Sequence, residues 1–523
     1  MPCPAIGIDL GTTFSSVSYV KDGAAVVIQN NAGHEITPSV VHFDPDIVVI
    51  GEEAVKKRRE GSLNTIYNIK RIIGRKHNDL SIQQRQWPFE ILRGSNDRIN
   101  VRVDGELYTP EEISALILRY MKTIATKVLC EEPVNAVITV PANFTNAQRE
   151  ATKDAGKLAG LNVLQIVNEP TAAAIAFREM NHPYGLIWRV LVYDLGGGTF
   201  DVSIVEIEGE KMKVLATDGL TSLGGTNFDE RIYDEAISRF YEMGIKITDL
   251  DWTLMEACEN AKKALSKRNS ARISHVRYGG AGFDLTYSTF VELCDNLFEQ
   301  TIALTENVMS DAAIDEDLID EIMLVGGSTR IRRIREMLTE RFPKTNIRND
   351  VEPELAVAKG AAILADALSK KSGTQSNGSK TTEPPPKVSL IDVTPISLGL
   401  KVYGNRNKIL IPKNTQLPFS TYDHCSNFFD NEEILIIEVL EGESVQASDN
   451  KTLAQVEINI APKPKGKNLV KVILCIDVNG ILFVTAIDEQ TNKQVTVTVK
   501  NEKLDDFVIV KMTEDLGKIN QGG

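Results

Sequence analysis

Apolar and polar positions follow two recurring patterns along residues 1–370. Short runs of β-branched and aliphatic residues predict buried strands, and longer stretches with apolar residues three or four apart predict amphipathic helices. One unit shows both: NAVITVP at 135–141, a helix pattern from about 146 to 159, and NVLQIVNEP at 162–170. Thr145 and Gln148 have capping-box spacing at the helix start, and Gly160 ends it. This alternation favours a largely parallel sheet covered by helices.

The pattern changes after residue 370. The segment SKKSGTQSNGSKTTEPPPK at 369–387 contains no apolar residue, so it predicts a linker that is flexible first and then stiffened by prolines. Short alternating runs follow, separated by turns such as Asn479–Gly480, and they predict an antiparallel β-sandwich. We therefore expect an α/β domain at 1–370, a linker at 371–391, an all-β sandwich at 392–502 and a short tail at 503–523.

One device occurs twice in the α/β part: AIGIDLGTTFSSVSYV at 5–20 and RVLVYDLGGGTFDVSIVEI at 189–207. Each copy is a strand, an Asp, a turn with Gly and Thr, and a second strand. Glycine turns expose N–H groups that bind phosphate, and an Asp beside phosphate implies a divalent cation between them. The copies contain these residues: Asp9, Gly11, Thr12 and Thr13; Asp194, Gly196, Gly197, Gly198 and Thr199. They predict two similar lobes closing on one triphosphate; two ordinary hairpins are the alternative.

A third glycine turn lies in IMLVGGSTRIRRIREML at 322–338. We expect a strand, the pair Gly326–Gly327, and a helix that opens at about Ser328, where it could bind a phosphate or the ribose end of a nucleotide. A plain strand-to-helix turn is the alternative. The chain has no GxxxxGK[ST], HExxH or GxSxG motif, which argues against a P-loop and against those hydrolase classes.

Composition narrows the setting. The 523 residues carry a net charge of −14, which argues against a nucleic-acid-binding surface. Six scattered cysteines without a CxxC pair favour free thiols in a reducing compartment. The first strand begins by Ile6, so we expect no leader peptide, and no apolar run is long enough for a membrane span. We expect a cytoplasmic protein, with the nucleus as an alternative.

Together with the two hairpins and VGGSTR, three further motifs resemble the 70-kDa heat-shock protein family: NEPTAAA at 168–174, IKRIIGR at 69–75 and TVPANFTNAQREATKDAGKLAGLNVL at 139–164. The resemblance covers residues 5–502 and is most specific before the linker. It implies an α/β, actin-like ATPase domain of two lobes and a β-sandwich that grips extended peptides. It also implies ATP or ADP and Mg²⁺ as ligands, with K⁺ as a candidate monovalent cation.

The resemblance also implies roles for single residues of the ATPase site. Asp9 and Asp194 would hold Mg²⁺ through waters, and Asp201 would help to bind the monovalent cation. Lys70 would place the attacking water, with Glu169 close to metal and water. Thr12, Thr13 and Thr199 would contact phosphates. The other nucleotide contacts would be Gly11, Phe14, Gly196, Gly197, Gly198, Gly224, Gly225, Glu259, Lys262, Lys263, Ser266, Gly326, Gly327, Ser328, Arg330 and Glu354.

Some positions of this chain depart from the family pattern. Lys263 stands where Arg is usual, and because Lys stacks less well on adenine we expect weaker nucleotide affinity. Glu354 replaces Asp and Phe14 replaces Tyr. The coupling stretch KVSLID at 387–392 keeps Leu390, Ile391 and Asp392 but is less acidic and apolar than usual. Arg149 and Lys153, which in the family help to dock the linker and the J-domain, are present.

The peptide-binding part departs further. The two loops expected to form the cleft are VYGNRNKIL at 402–410 and SNFFDNEEIL at 426–435. Tyr403 and Phe428 or Phe429 would arch over a peptide, and Leu435 aligns with the apolar pocket; a sandwich with no useful cleft is the alternative. We expect no helical lid after residue 502. The ending NQGG lacks the acidic tail that tetratricopeptide-repeat partners bind, so we do not expect those partners there.

These features lead to one main hypothesis and two alternatives. The main one is an ATP-dependent chaperone that hydrolyses ATP slowly and couples this to unfolded or nascent polypeptides, aided by a J-domain protein and a nucleotide-exchange factor. The first alternative is a regulatory member that binds ATP with little client binding, for example beside a ribosome or a J-domain protein. The second is a small-molecule kinase, which the β-sandwich argues against. We expect neither nucleic acid nor membrane as a partner.

Overall fold

The computed structural model describes residues 3–80, 87–181, 186–247, 250–348, 352–374, 389–498 and 512–513. The first lobe is built from the part of the chain before residue 182. Its strands are β1 (Ile6–Leu10), β2 (Phe14–Lys21), β3 (Ala24–Val27), β4 (Thr37–Pro38), β5 (Val41–Phe43), β6 (Val48–Ile50), β7 (Thr65–Ile66), β8 (Glu90–Arg93), β9 (Ile99–Val103), β10 (Glu106–Tyr108), β11 (Asn135–Val140) and β12 (Asn162–Asn168). Its helices are α1 (Glu52–Arg59), α2 (Pro110–Leu129), α3 (Asn146–Leu158) and α4 (Glu169–Asn181).

The second lobe follows with the same kind of central sheet. Its strands are β13 (Ile187–Leu195), β14 (Phe200–Glu208), β15 (Lys211–Leu220), β16 (Ser270–Ser274), β17 (Gly282–Thr286), β18 (Glu321–Val325) and β19 (Asn346–Ile347). Its helices are α5 (Gly225–Glu242), α6 (Trp252–Leu265), α7 (Tyr287–Ala312), α8 (Arg332–Arg341) and α9 (Ala356–Thr374).

The two central sheets share one topology. The first has the order β12-β11-β1-β2-β3, with β4 also paired to β2, and the second has the order β19-β18-β13-β14-β15-β20, where β20 is Ser389–Ile391. In each, a hairpin (β1–β2 or β13–β14) lies beside parallel strands. The carboxyl ends of β1 and β13 carry the two Asp-Leu-Gly turns, so the repeat in the sequence is a repeat in the fold.

Helices α4 and α9 join the lobes. Gly360 of α9 lies directly against the backbone of Ala172 in α4, and Gly7 of β1 lies against the backbone of Ala362, so a Cβ at either glycine would overlap with main-chain atoms. The buried apolar faces of α4 and α9 form a core with β13 and β14, separate from the core of each lobe. The lobes are therefore connected by a tightly packed base formed by α4 and α9.

The sandwich holds β21 (Leu398–Val402), β22 (Arg406–Ile411), β23 (Phe419–Cys425), β24 (Ile434–Glu441), β25 (Lys451–Asn459), β26 (Val470–Ile476), β27 (Leu482–Asp488) and β28 (Lys493–Thr498). Two antiparallel sheets, β22-β21-β24-β25 and β23-β26-β27-β28, enclose an apolar core. Strand β20 belongs elsewhere: it pairs in parallel with β15 and extends the sheet of the second lobe.

Three local predictions can be compared with the structure. The helix predicted to start after Thr145 is α3, with Thr145 and Gln148 forming the capping box and Gly160 following at a φ of 73°. The helix predicted from about Ser328 begins later, at Arg332, because Ser328 donates its hydroxyl hydrogen bond to Gly196 and lies in a 3₁₀ turn. Both ends of the predicted linker have regular structure, since α9 continues to Thr374 and strand β15 pairs with Ser389–Ile391.

The central linker residues 375–388 and most of the predicted tail at 503–523 lie outside the described residues. The prediction that no helical lid follows residue 502 falls on the same part of the chain and stays a prediction. The division of the chain at residues 370, 391 and 502 also stays a prediction.

Candidate nucleotide-binding site

The two glycine turns face each other across one cleft. A Cβ at Gly197 would overlap with the side chain of Thr13, and a Cβ at Gly198 would lie 2.7 Å from the Thr12 Cβ. Both turns line a single cavity of about 2170 Å³ between the lobes. The predicted pairing of the two hairpins across a shared cleft therefore matches their geometry.

The turn in the second lobe is fixed by the start of α5. The backbone N–H of Gly225 donates to the carbonyl of Gly196 at 2.9 Å, and the N–H of Thr226 donates to that of Gly197 at 2.9 Å. A Cβ at Gly224 would lie 2.5 Å from the Gly198 nitrogen, so only glycine fits there. Strand, turn and helix start form one rigid cradle of the kind that binds phosphate.

Buried carboxylates surround this cradle. Asp194 is 6% exposed and Asp201 is 1% exposed. Burial and the neighbouring Glu169 carboxylate raise the pKa of Asp201 to about 8, and the same two causes raise the pKa of Asp9 to about 7 and that of Asp194 well above its usual range. One oxygen of Asp201 has no hydrogen-bond partner among the residues that the structure describes. Burying several carboxylates close together is energetically unfavourable, and one of them has an unpaired oxygen. A group of this kind is suited to binding a cation.

The residues present fit a water-mediated cation better than a directly bound one. Within the described ranges, no group of three His, Cys, Asp or Glu side chains is arranged to bind a metal ion by itself. Asp9 receives a hydrogen bond from the Thr139 hydroxyl at 3.2 Å, which leaves its second oxygen for other partners. Water and phosphate oxygens would have to complete the coordination of Mg²⁺, which prefers that arrangement.

A buried ion pair closes the cleft at its inner side. Lys70, in a 3₁₀ turn at Ile69–Arg71, donates directly to Glu169 at the start of α4. Lys70 is 4% exposed and Glu169 is 7% exposed. Because a buried charge is stable only with a partner, each side chain fixes the other beside the phosphate cradle.

The side of the cavity that the sequence predicts for the nucleoside is lined by polar residues from α6 and the VGGSTR turn. The Lys262 ammonium lies 2.7 Å from an Asp229 carboxylate oxygen, and Lys263 pairs with Glu259 at 2.7 Å. Arg330 forms a two-pronged pair with Glu354, at 2.6 and 2.7 Å. All of the other predicted contacts except Asp201 and Gly224 also line this cavity: Gly11, Phe14, Ser266, Gly326, Gly327 and Ser328.

Comparison with known proteins shows to which family the chain belongs. The family model described as Hsp70 protein matches residues 5–521. The chain belongs to the Hsp70 family. It is 40% identical over 516 residues to a heat shock 70 kDa protein of Neurospora crassa, covering 96% of this chain and 78% of that protein. It is 38% identical over 538 residues to heat shock cognate 70 kDa protein 3 of Dictyostelium discoideum, covering 99% and 84%. Proteins of this family are ATP-binding chaperones, and the chain shares that class.

Sequence reasoning missed two sets of contacts between the lobes of this Hsp70 protein, one at the phosphate turn and one at the outer rim of the cleft. Arg71 of the first lobe donates to the Gly198 carbonyl at 3.3 Å and to the Thr226 hydroxyl at 2.7 Å. At the outer rim, the Arg58 guanidinium lies 4.4 Å from the ring centre of Trp252, and Arg59 pairs with Glu256. Arg71 lies inside the quoted motif IKRIIGR, which pointed to the region; no pattern pointed to the rim contacts.

The sandwich is docked on the ATPase domain in this structure. Arg149 of α3, 4% exposed, donates to the carbonyls of Ala142 and Asn479, the latter at 3.4 Å. Asp392 accepts hydrogen bonds from the amide of Asn168 at 2.9 Å and from the hydroxyl of Thr171 at 3.1 Å.

The other predicted docking residues lie in the same region. Leu390 and Ile391 pair with β15, and Lys153 is half-buried farther along α3. Arg149 and Asp392 share one interface, whereas the structure pairs Lys153 with no described residue.

The predicted cleft residues are in three different environments. Tyr403 is 78% exposed and Phe429 is 74% exposed, whereas Leu435 is 1% exposed in the sandwich core. Phe428, which is 37% exposed, and Phe429 both donate backbone N–H groups to Glu432, and the Lys465 ammonium lies 5.5 Å from the Tyr403 ring centre. The two aromatic tips are thus accessible to a ligand, and Leu435 is not accessible in this conformation.

None of the helices within the described ranges combines the length and apolar character of a membrane span. All six cysteines are free thiols. Burial raises the pKa of the Cys258 and Cys294 thiols, which are fully buried in the second lobe.

Proposed function

We propose that this Hsp70 protein binds one ATP between its two glycine hairpins, hydrolyses it slowly, and uses the cycle to control binding of unfolded or nascent polypeptides. The observation that carries the proposal is the contact between the tips of the two hairpins inside one cavity. A triphosphate placed there touches both lobes, so its hydrolysis changes how the lobes meet.

The glycine cradle and the threonines bind the phosphates. Backbone N–H groups of Gly11, Gly197 and Gly198 supply fixed dipoles, while the Gly196 N–H donates to the Thr199 carbonyl at 3.0 Å and closes the turn. The hydroxyls of Thr12, Thr13 and Thr199 supply further donors. The adenosine lies against α6, where Lys263 and Arg330 cover the base and Glu259 and Ser266 face the ribose. These groups orient the nucleotide, and orientation is most of what phosphoryl transfer requires from a protein.

Asp9 and Asp194 would hold Mg²⁺ through waters from opposite lobes, and this ion would neutralise the charge that develops on the phosphates during transfer. Asp201 would contribute to a second, monovalent site for which K⁺ is the candidate. Lys70 donates a hydrogen bond to the attacking water and stabilises negative charge, while Glu169 fixes Lys70 in place. The water oxygen forms the new bond to the γ-phosphorus as the bond to the ADP oxygen breaks, and the proton of the water passes to a γ-phosphate oxygen, so that the products are ADP and inorganic phosphate.

The docked sandwich is the output of the cycle. Arg149 and Asp392 stabilise docking, and release of the sandwich frees the loops that carry Tyr403, Phe428 and Phe429 to close on an extended peptide. Leu435 becomes available when these loops part. We propose a J-domain protein and a nucleotide-exchange factor as partners, and the cytoplasm as the location, where the free thiols persist.

The test is steady-state ATP hydrolysis by the full chain, with and without an extended apolar peptide. We expect measurable turnover that the peptide stimulates, and a loss of about a hundredfold or more in Lys70→Ala. Lys21→Ala, a surface change on the same lobe, is the matched control and keeps wild-type turnover. Turnover that survives in Lys70→Ala contradicts the assigned role, and a protein that does not bind ATP contradicts the proposal as a whole.

A further inference from the structure

Asn143 lies between the phosphate site and the docked sandwich, and none of the roles above uses it. It follows strand β11 in the first lobe, and its backbone N–H donates to a carboxylate oxygen of Asp201 at 3.3 Å. The Asn143 main chain thus contacts directly one of the carboxylates that surround the phosphate cradle.

The side chain of Asn143 reaches the other way. Its amide N–H groups donate to the Asp218 carboxylate at 3.1 Å and to the Gly219 carbonyl at 2.5 Å, both on β15. Gly219 is opposite Asp201 in the β14–β15 pairing, and a Cβ there would lie 2.6 Å from the Asp201 carboxylate. The end of β15 therefore lies close to Asp201 and is also connected to it through the hydrogen bonds of Asn143.

Asp218 is in turn held by the sandwich. The Lys413 ammonium lies 2.7 Å from the second oxygen of Asp218 and 3.0 Å from Asp311. Beside it, the Asn414 side-chain oxygen accepts a hydrogen bond from the Thr217 N–H at 3.3 Å. A continuous series of polar contacts thus runs from Lys413 in the sandwich, through Asp218 and Asn143, to Asp201.

The inner end of this series is incompletely paired. The side-chain oxygen of Asn143 and one oxygen of Asp201 are buried without a hydrogen-bond partner among the described residues. Buried unpaired polar atoms are costly and concentrate where a ligand or a functional motion needs them. Both atoms lie at the inner end of the series, where a small movement of Asn143 changes what Asp201 can bind.

We propose that Asn143 is a positioning residue for Asp201, and that Lys413 and Asp218 make its position depend on docking of the sandwich. The inference rests on the ATP hydrolysis proposed above. Asn143 does not touch the nucleotide in this account; it acts through the Asp201 carboxylate, so its loss changes kcat and leaves the KM for ATP unchanged.

The experiment is a double-mutant cycle on ATP hydrolysis by the full chain. We expect Lys413→Met and Asn143→Ala each to change kcat about tenfold in the same direction, with KM within about twofold of wild type. The double variant changes kcat by the same factor of about ten, because both substitutions break one series. Lys413→Arg keeps the ion pair and keeps the wild-type kcat.

Lys451→Met is the matched control, since Lys451 also bridges the domains, to Asp79 at 3.2 Å, but lies outside the series. We expect it to leave kcat unchanged. If Asn143→Ala fails to fold, Asp218→Asn replaces it in the cycle, because it removes the charge that pairs with Lys413. The inference is overturned if Lys413→Met changes kcat no more than the control does, if it shifts KM, or if the two effects multiply in the double variant. Each of these outcomes leaves the proposed function standing. A wild-type protein without turnover overturns the proposed function as well.

Discussion

Gly198 offers a direct perturbation of the contact between the hairpins. Gly198→Ala would place a Cβ 2.7 Å from both the Cβ and the hydroxyl oxygen of Thr12, with the Thr12 methyl nearer still. Carbon atoms in contact lie about 3.5–4.0 Å apart, so the two tips must separate by roughly 1 Å. Because the displaced groups are the phosphate cradle itself, a misplacement of about 1 Å lowers catalysis by about a hundredfold.

The assay is kcat/KM for ATP, measured on folded protein with matched circular dichroism. Gly209→Ala is the control, because Gly209 lies in the next turn of the same sheet with no described atom within 4 Å of a new Cβ. Its φ of 58° means that the alanine strains the backbone by about 1–2 kcal/mol, which lowers stability without touching the cleft. We expect the control to keep kcat/KM within about threefold of wild type. A Gly198→Ala protein with the activity of the control would refute the claim that the two tips bind one ligand in contact.

Three further changes test other parts of the account. Trp252→Leu removes the stacking of Arg58 across the cleft rim, worth about 1–2 kcal/mol, so we expect ADP to dissociate about tenfold faster in a stopped-flow chase. The raised pKa values of Asp9 (about 7) and Asp201 (about 8) mean that the nucleotide-free fold binds extra protons below those values. Its melting temperature therefore falls as pH rises from 5 to about 8, and MgATP reduces the fall. Arg149→Met leaves the buried Ala142 carbonyl and the Asn168 side-chain oxygen without their donor, and we expect about 3 kcal/mol less unfolding free energy in urea titrations.

Each of these three predictions has a control variant or a result that would contradict it. Trp188→Leu changes a tryptophan that does not line the cleft, and an equal ADP release rate in both variants would contradict the rim contact. A melting temperature of the nucleotide-free protein that rises between pH 5 and 8 would contradict the protonated carboxyls. Lys451→Met breaks a different bridge between the domains, so a similar loss of stability there would show that Arg149 has no special role.

The sequence indicated the two repeated turns more clearly than the contacts around them, for physical reasons. Asp9 and Asp194 could be paired because each lies in the same short motif, and a repeated motif implies a repeated structure. Strand β23 (Phe419–Cys425) is hard to predict from its sequence FSTYDHC, because its half-buried positions are Thr421, Asp423 and Cys425 and it contains no apolar run.

Contacts between residues that are far apart along the chain have no local sequence pattern that predicts them. The pairs Arg58–Trp252 and Lys413–Asp218 each join residues about two hundred positions apart, on elements whose packing depends on the whole fold. The predicted helix start at Ser328 was wrong for a similar reason. Ser328 has the side chain of a good cap, but tertiary structure gives it a closer partner in the carbonyl of Gly196.

Equilibrium titration with MgATP tests most directly the claim that two hairpins from opposite lobes hold one nucleotide. The account predicts one ATP per chain, and a large loss of affinity when either hairpin alone is altered, in Thr13→Ala or in Thr199→Ala. Two binding events per chain, or an affinity that depends on only one of the two hairpins, would contradict it.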